Sequence, residues 1–195
     1  LKDILYKVHI RSVHGSTAAN VNNLQIDSRK VTAGNCFIAI KGVSTDGHQF
    51  ITKAVENGAV AVVCEHLPQY MNDDVTFISV NNSAEAAGYM ANQFFGNVTA
   101  QMKVVGVTGT NGKTTIATLL FKLFSGLGYK CGLISTVEYY IGNKVIPSTH
   151  TTPDVISLNK LLKEMYNENC THVFMESSSH AIHQQRITGI HFTGA

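Results

Sequence analysis

The residues whose types and spacing most directly suggest chemistry lie between positions 104 and 120, VVGVTGTNGKTTIATLL. An apolar run leads into a glycine-rich loop, and Lys-Thr opens a segment of helical character. Gly109 and Gly112 let the backbone turn tightly, so that successive N–H groups from Gly109, Thr110, Asn111 and Gly112 can face a phosphate. Lys113 can then reach β- and γ-phosphates. The Thr114 hydroxyl is placed to hold Mg²⁺, with Thr115 beside it. The loop departs from the general Walker pattern, which wants Gly six residues before the lysine. Val107 stands there, one residue after Gly106. The variant is therefore G-T-N-G-K-T-T. No guanine-reading NKxD-type segment accompanies it, so ATP is the expected nucleotide.

A carboxylate-bearing position follows from strand logic. Glu176 ends the apolar run THVFME, and a carboxylate at a strand's C-terminus can reach a metal beside a phosphate loop. Ser178, Gln184 and Arg186 come next, in a Ser-rich turn and short helix. Hydroxyls, a carboxamide and a guanidinium suit a diphosphate and a sugar. His180 and His183 are three apart, but no third ligand has zinc spacing. A serine nucleophile in ESSSH lacks the G-x-S-x-G context.

These groups must be positioned by an α/β scaffold. Residues 36–40 (CFIAI), AVAVVCE and VTFISV read as buried strands. DGHQFITKAVENGA reads as a helix behind an Asp46 N-cap, and Asn82-Ser83 opens another helix, SAEAAGYMANQFF. The polar segment GNVTAQ reads as a linker. The pattern then restarts with KVVGV (strand), the Lys-Thr helix and YKCGLIST (strand). A hairpin turning on Gly142-Asn143 follows, then a helix PDVISLNKLLKEMYNEN with Pro153 near its first turn, and the strand THVFMES. The first residues, LKDILYKVHI, carry helical spacing rather than a signal-peptide pattern. The expectation is an N-terminal Rossmann-like α/β domain over residues 1–98. The first part of a P-loop ATPase domain, with a mainly parallel sheet, then occupies residues 102–195.

Composition bounds the partners. The chain has 195 residues, 44% hydrophobic and 14% charged, with a formal net charge of +2. The basic residues are scattered, which argues against a nucleic-acid partner. The four cysteines, Cys36, Cys64, Cys131 and Cys170, have no metal-type spacing and read as buried free thiols in a reducing compartment. No apolar run is long enough for a membrane span. The expectation is a soluble, cytoplasmic monomer.

G-T-N-G-K-T-T resembles the loop of the Mur ligases and of the folylpolyglutamate synthetases. Further stretches narrow the resemblance: STHTTPD at 148–154, MESSSHAIHQQR at 175–186, and LQIDSRKVTAGNCFIAIKGVSTDGH in the first segment. The last contains Asp27-Ser28-Arg29, Gly34, Phe37 and Ala39. Together they resemble the MurE branch of the Mur ligase family, over almost the whole chain. The resemblance implies an ATP-dependent ligase of peptidoglycan precursor synthesis. Such enzymes phosphorylate the D-glutamate carboxylate of UDP-MurNAc-L-Ala-D-Glu, and the amine of meso-diaminopimelate or L-lysine then displaces phosphate.

By the same resemblance, Lys113 stabilises the transferring phosphoryl group and Glu176 binds Mg²⁺ with Thr114. Thr151, Thr152, Ser178, Gln184 and Arg186 contact the UDP-muramyl substrate. Ser28 and Ile26 lie on its uridine side, and Val43-Ser44-Thr45 on the uracil loop. Two departures stand out: Val43 replaces a histidine, and His150 replaces an asparagine before the Thr pair. Relatives also carry a carbamylated lysine and a D-N-P-[RK] selector that have no counterpart here. This leads to the expectation of an N-terminal portion that forms no amide bond alone. The alternatives are another Mur ligase or folylpolyglutamate synthetase relative, a non-catalytic nucleotide- or UDP-sugar-binding module, and a small-metabolite kinase.

Overall fold

The computed structural model describes residues 1–43, 45–148 and 151–195. The chain divides into two compact units, Leu1–Gln93 and Phe94–Ala195. In the first, β1 (Ile10–His14), β2 (Asn23–Gln25), β3 (Asn35–Ile38), α1 (Ile51–Glu56), β4 (Ala61–Cys64), β5 (Thr76–Val80) and α2 (Ser83–Phe94) follow in order. The strands form one sheet, β1-β5-β4-β3-β2. β2 to β5 are mutually parallel, and β1 is an antiparallel edge on β5. Every residue of β3, β4 and β5 is buried, as expected of parallel strands covered on both faces. Phe37, Val62 and Phe77 pack with Ile51 and Ala54 of α1 in one core.

The second unit contains β6 (Lys103–Val107), α3 (Lys113–Gly126), β7 (Cys131–Ile134), β8 (Glu138–Ile141), β9 (Lys144–Pro147), α4 (Val155–Asn167), β10 (His172–Glu176) and α5 (Ser179–His183). The order is β6-β10-β7-β8-β9, with β6, β10 and β7 parallel. Alternation along the strands sorts two cores. Val104, Val173, Met175 and Ile134 meet Leu158, Leu162 and Met165 of α4. Val107, Phe174 and Leu133 meet Ala117, Leu120, Phe121 and Phe124 of α3.

Local chemistry explains the boundaries. Asp154 caps α4, accepting from Ile156 and Ser157 N–H at 3.0 Å each. Pro153 therefore precedes the cap instead of lying in the first turn. The β8–β9 hairpin turns on Gly142 with φ +57°, where a glycine meets no steric cost.

Three sequence expectations change. The helical spacing of LKDILYKVHI yields only a single 3₁₀ turn, Lys2–Leu5, and the run then extends into β1. The GNVTAQ segment is not a polar linker. Val98–Gln101 forms a 3₁₀ turn inside the second unit, with Val98 and Thr99 buried. The Asp46 helix begins as 3₁₀ over Gly47–Phe50 before α1. Among the described residues, no helix is long and apolar enough to cross a membrane.

Candidate functional site

The loop between β6 and α3 supplies the first half of the site. Gly109 and Gly112 hold φ +140° and +81°, values a side chain resists. Gly112 is the N-cap of α3 and no side chain caps that end, an arrangement whose first N–H groups suit an anion. Gly109, Thr110, Asn111 and Thr115 are exposed, and Lys113 and Thr114 are half-buried. Lys113 Nζ donates to the carbonyls of Gly109 at 2.9 Å and Thr110 at 3.4 Å, so the ammonium lies across its own loop.

β10 ends beside that loop. Glu176 pairs in register with Val107, and Ser177 N–H donates to Val107 O at 2.9 Å. The Glu176 side chain is fully buried. Its Oε1 accepts from Thr136 N–H at 2.9 Å, and its Oε2 lies 3.1 Å from Thr136 Oγ1. Among the described residues no basic side chain forms an ion pair with it. A buried carboxylate without a counter-charge is costly, so a position of this kind suits a cation.

Thr136 was not singled out from the sequence. It sits two residues past β7 in a turn organised by Ser135, whose hydroxyl donates to Glu138 O at 2.8 Å and accepts from Glu138 N–H at 3.2 Å. Only the fold shows that this turn overhangs β10.

The T-T-P and Ser-rich stretches converge on the same strand end. Thr152 Oγ1 donates to Glu176 O at 2.9 Å and accepts from Ser178 N–H at 3.4 Å. Thr151 Oγ1 lies 3.1 Å from Thr136 Oγ1. Arg186 donates through NH1 to Thr152 O at 2.9 Å, and through Nε and NH2 to Gln184 Oε1 at 3.0 and 2.6 Å. The guanidinium is thus held in a fixed fork with donors to spare. The Ser178 hydroxyl is already engaged as the N-cap of α5, accepting from Ala181 N–H at 3.1 Å. Glu176, Thr151, Thr152, Ser178, Gln184 and Arg186 therefore form one bonded cluster next to the phosphate loop.

In the first unit, Ile26 and Ser28 follow β2, and Val43 and Thr45 follow β3, its parallel neighbour. All four lie at the C-terminal end of the sheet, where ligands of such folds bind. Ser44 and His150 lie outside the described residues. Asp27 accepts from Arg29 N–H at 3.1 Å and from its Nε and NH2 at 2.9 Å each. The Arg29 side chain holds the Asp27 carboxyl below the usual range.

The segment around Val43 is braced at its base. Gly42 N–H donates to Thr45 O at 2.9 Å, and Gly47 N–H to Ile40 O at 2.9 Å. A Cβ at Gly47 would come within 2.7 Å of Ile40 O, so only glycine fits. His48 Nε2 accepts from Glu65 N–H at 2.9 Å, which leaves Nδ1 to carry the proton toward Asp46 Oδ1 at 2.7 Å. Asp46 is in turn held below the usual carboxylate range, chiefly by the His48 backbone N–H and then by the ring.

Parallel central strands, one of which runs through a glycine loop into an uncapped Lys-Thr helix, are the architecture of the P-loop class of α/β proteins. Comparison with known proteins narrows that class. Residues 107–195 match the Mur ligase middle domain, and residues 20–95 match the Mur ligase family, catalytic domain. The chain belongs to the Mur ligase family.

It is 55% identical over 195 residues to the UDP-N-acetylmuramoyl-L-alanyl-D-glutamate--2,6-diaminopimelate ligase of Cytophaga hutchinsonii, covering 100% of this chain and 40% of the relative. It is 48% identical over 194 residues to the ligase of the same name in Phocaeicola vulgatus, with the same coverage. The chain thus spans about 40% of the length of these relatives. A solved structure of a ligase of that name superposes with a TM-score of 0.69 at 27% identity, over 87% of this chain and 34% of that one. The MurF ligase of Thermotoga maritima in complex with ADP superposes with a TM-score of 0.52 at 25% identity, over 84% and 33% respectively.

Proposed function

We propose that this chain supplies the UDP-substrate unit and the phosphate-loop unit of an ATP-dependent ligase. The ligase joins 2,6-diaminopimelate to UDP-MurNAc-L-Ala-D-Glu in peptidoglycan precursor synthesis. The observation that carries the reading is Glu176. It is fully buried at the end of β10, held by Thr136, adjacent to the loop after β6, and within one bonded cluster with Thr152 and Arg186. The names of relatives at 44–55% identity support the substrates.

The roles follow from the groups present. The N–H groups from Gly109 to Gly112 and the N-terminus of α3 cradle phosphate, with Thr114 and Thr115 at its first turn. Lys113 leaves the carbonyls of Gly109 and Thr110 to neutralise charge developing on the transferred phosphoryl group. Thr114 and Glu176 would supply the hard oxygen ligands that Mg²⁺ prefers, and a cation held there would screen the phosphates. Thr151, Thr152, Ser178, Gln184 and Arg186 orient the muramyl-peptide end, so that its carboxylate meets the phosphoryl group. Ile26, Ser28 and the Val43–Thr45 segment hold the uridine end. Activation of the carboxylate as an acyl phosphate then allows attack by the incoming amine.

Calorimetry on the purified protein tests the two units separately. Lys113→Ala is expected to weaken Mg·ATP binding at least 100-fold, and Ser28→Ala or Arg186→Ala to weaken UDP-MurNAc-L-Ala-D-Glu binding about 10-fold or more, as expected for loss of charge-assisted and buried polar contacts. Phosphate release that needs no UDP-MurNAc-dipeptide, or unchanged binding in all three variants, overturns the reading.

A further inference from the structure

Thr136 makes two kinds of contact at one oxygen. Its Oγ1 lies 3.1 Å from Glu176 Oε2 and also 3.1 Å from Thr151 Oγ1. A hydroxyl has one proton, and an ionised carboxylate only accepts. When Glu176 is ionised, the single Thr136 proton goes either to Oε2 or to Thr151 Oγ1, and with it on Oε2, Thr151 donates its own proton to Thr136. The hydroxyls then form a directed chain, Thr151 to Thr136 to Glu176. Thr136 is exposed, while Glu176 beneath it is fully covered. The backbone bond from Thr136 N–H to Oε1, at 2.9 Å, does not depend on the side-chain rotamer. It keeps the carboxylate in place when the hydroxyl turns.

We propose that Thr136 is a positioning residue that couples occupation of the cation site at Glu176 to recognition of the UDP-muramyl substrate at Thr151. This rests on the assignment of Glu176 and Thr151 proposed above. A cation drawing on Oε2 lowers that oxygen's appetite for a proton donor. The Thr136 hydroxyl then turns its proton to Thr151 Oγ1, and the Thr151 proton is released toward an oxygen of the substrate. Neither hydroxyl changes its covalent state; one hydrogen bond is exchanged for another. Because linkage is reciprocal, substrate held at Thr151 must tighten the cation by the same factor. One hydrogen bond sets the scale, a factor of about 3 to 10.

The probe is Mn²⁺, counted by the loss of its free-ion electron paramagnetic resonance signal. Titrations are run without nucleotide, so that nothing turns over and no free ADP chelates the ion, with and without UDP-MurNAc-L-Ala-D-Glu. In the unaltered protein the substrate is expected to tighten Mn²⁺ about 3- to 10-fold. Thr136→Val and Thr151→Val should each reduce that ratio to about one, and Thr136→Ser should restore it. A merely structural Thr136 would lower the melting temperature of Thr136→Val and leave the ratio unchanged, which overturns the inference, as does a ratio of one in the unaltered protein. Glu176→Gln separates the underlying assignment: Mn²⁺ bound as tightly as in the unaltered protein removes Glu176 from the cation site.

Discussion

At the scale of single residues, side chains that share a type differ sharply in what their surroundings permit. The four thiols show this. Cys36 and Cys64 are fully covered, and burial pushes their thiols up to about 12 and about 11. Burial also raises Cys131 and Cys170. Only the thiolate attacks the disulfide of a thiol reagent, so a raised value keeps each group in its inert form at pH 8. Ellman's reagent at that pH is expected to report almost no reaction with folded protein and four thiols after denaturation. Rapid reaction of one or more thiols in the folded state would contradict this. The buried-thiol reading was accessible from the spacing of the cysteines alone. Thr136 was not, because a threonine after an apolar run is ordinary until a neighbouring strand brings a carboxylate beneath it. Ser178 teaches the converse. The family resemblance gives it as a substrate contact, and the structure adds that its hydroxyl caps α5.

Elements were legible where the pattern was strong. The continuous apolar runs that became β3, β4 and β5 are buried on both faces, and the Lys-Thr helix starts where the glycine loop ends. β1 and β2 were missed because edge strands bury little: β1 has no fully buried residue, and β2 has only Leu24. The helical spacing of LKDILYKVHI is a coincidence of a 3₁₀ turn followed by an edge.

β10 allows a test of pH dependence. The His172 ring at its start lies tilted against two others, its centroid 4.5 Å from that of Tyr129 and 5.0 Å from that of Phe124. Burial, and then the charge of Lys103 on the adjoining strand, favours the neutral imidazole. The unfolded chain therefore binds more protons than the folded one once pH falls below the ordinary histidine value of about 6.5. Stability of this unit should decline from pH 7 toward pH 5 on account of His172, and His172→Phe should flatten that part of the curve. A denaturant series at each pH measures it; an identical slope in the variant would place the titration elsewhere.

At the scale of the whole molecule, each unit closes a core of its own, and the candidate ligand groups divide accordingly. Phe77 sits in the core around Phe37 and Val62, which also takes in Val31, just past Ser28, and Ala39, just past the end of β3 ahead of Val43. Phe174 sits in the core shared by β6, β7 and α3, under the phosphate loop. Both rings are almost wholly buried, and truncation of either to alanine costs about 3–5 kcal/mol through lost contacts and the cavity left behind. Equal cost need not mean equal consequence. Phe174→Ala loosens the seat of α3 and should weaken Mg·ATP binding more than 10-fold, while Phe77→Ala should weaken UDP-MurNAc-L-Ala-D-Glu binding instead. Both are read by calorimetry at a temperature where circular dichroism shows the variant folded. The near-neutral net charge of +2 fits the proposed function, in which one loop and one guanidinium meet the anions rather than a basic surface. If Phe77→Ala costs as much ATP affinity as Phe174→Ala, the cores do not govern the two sites separately, and nucleotide recognition depends on the fold of the first unit as well.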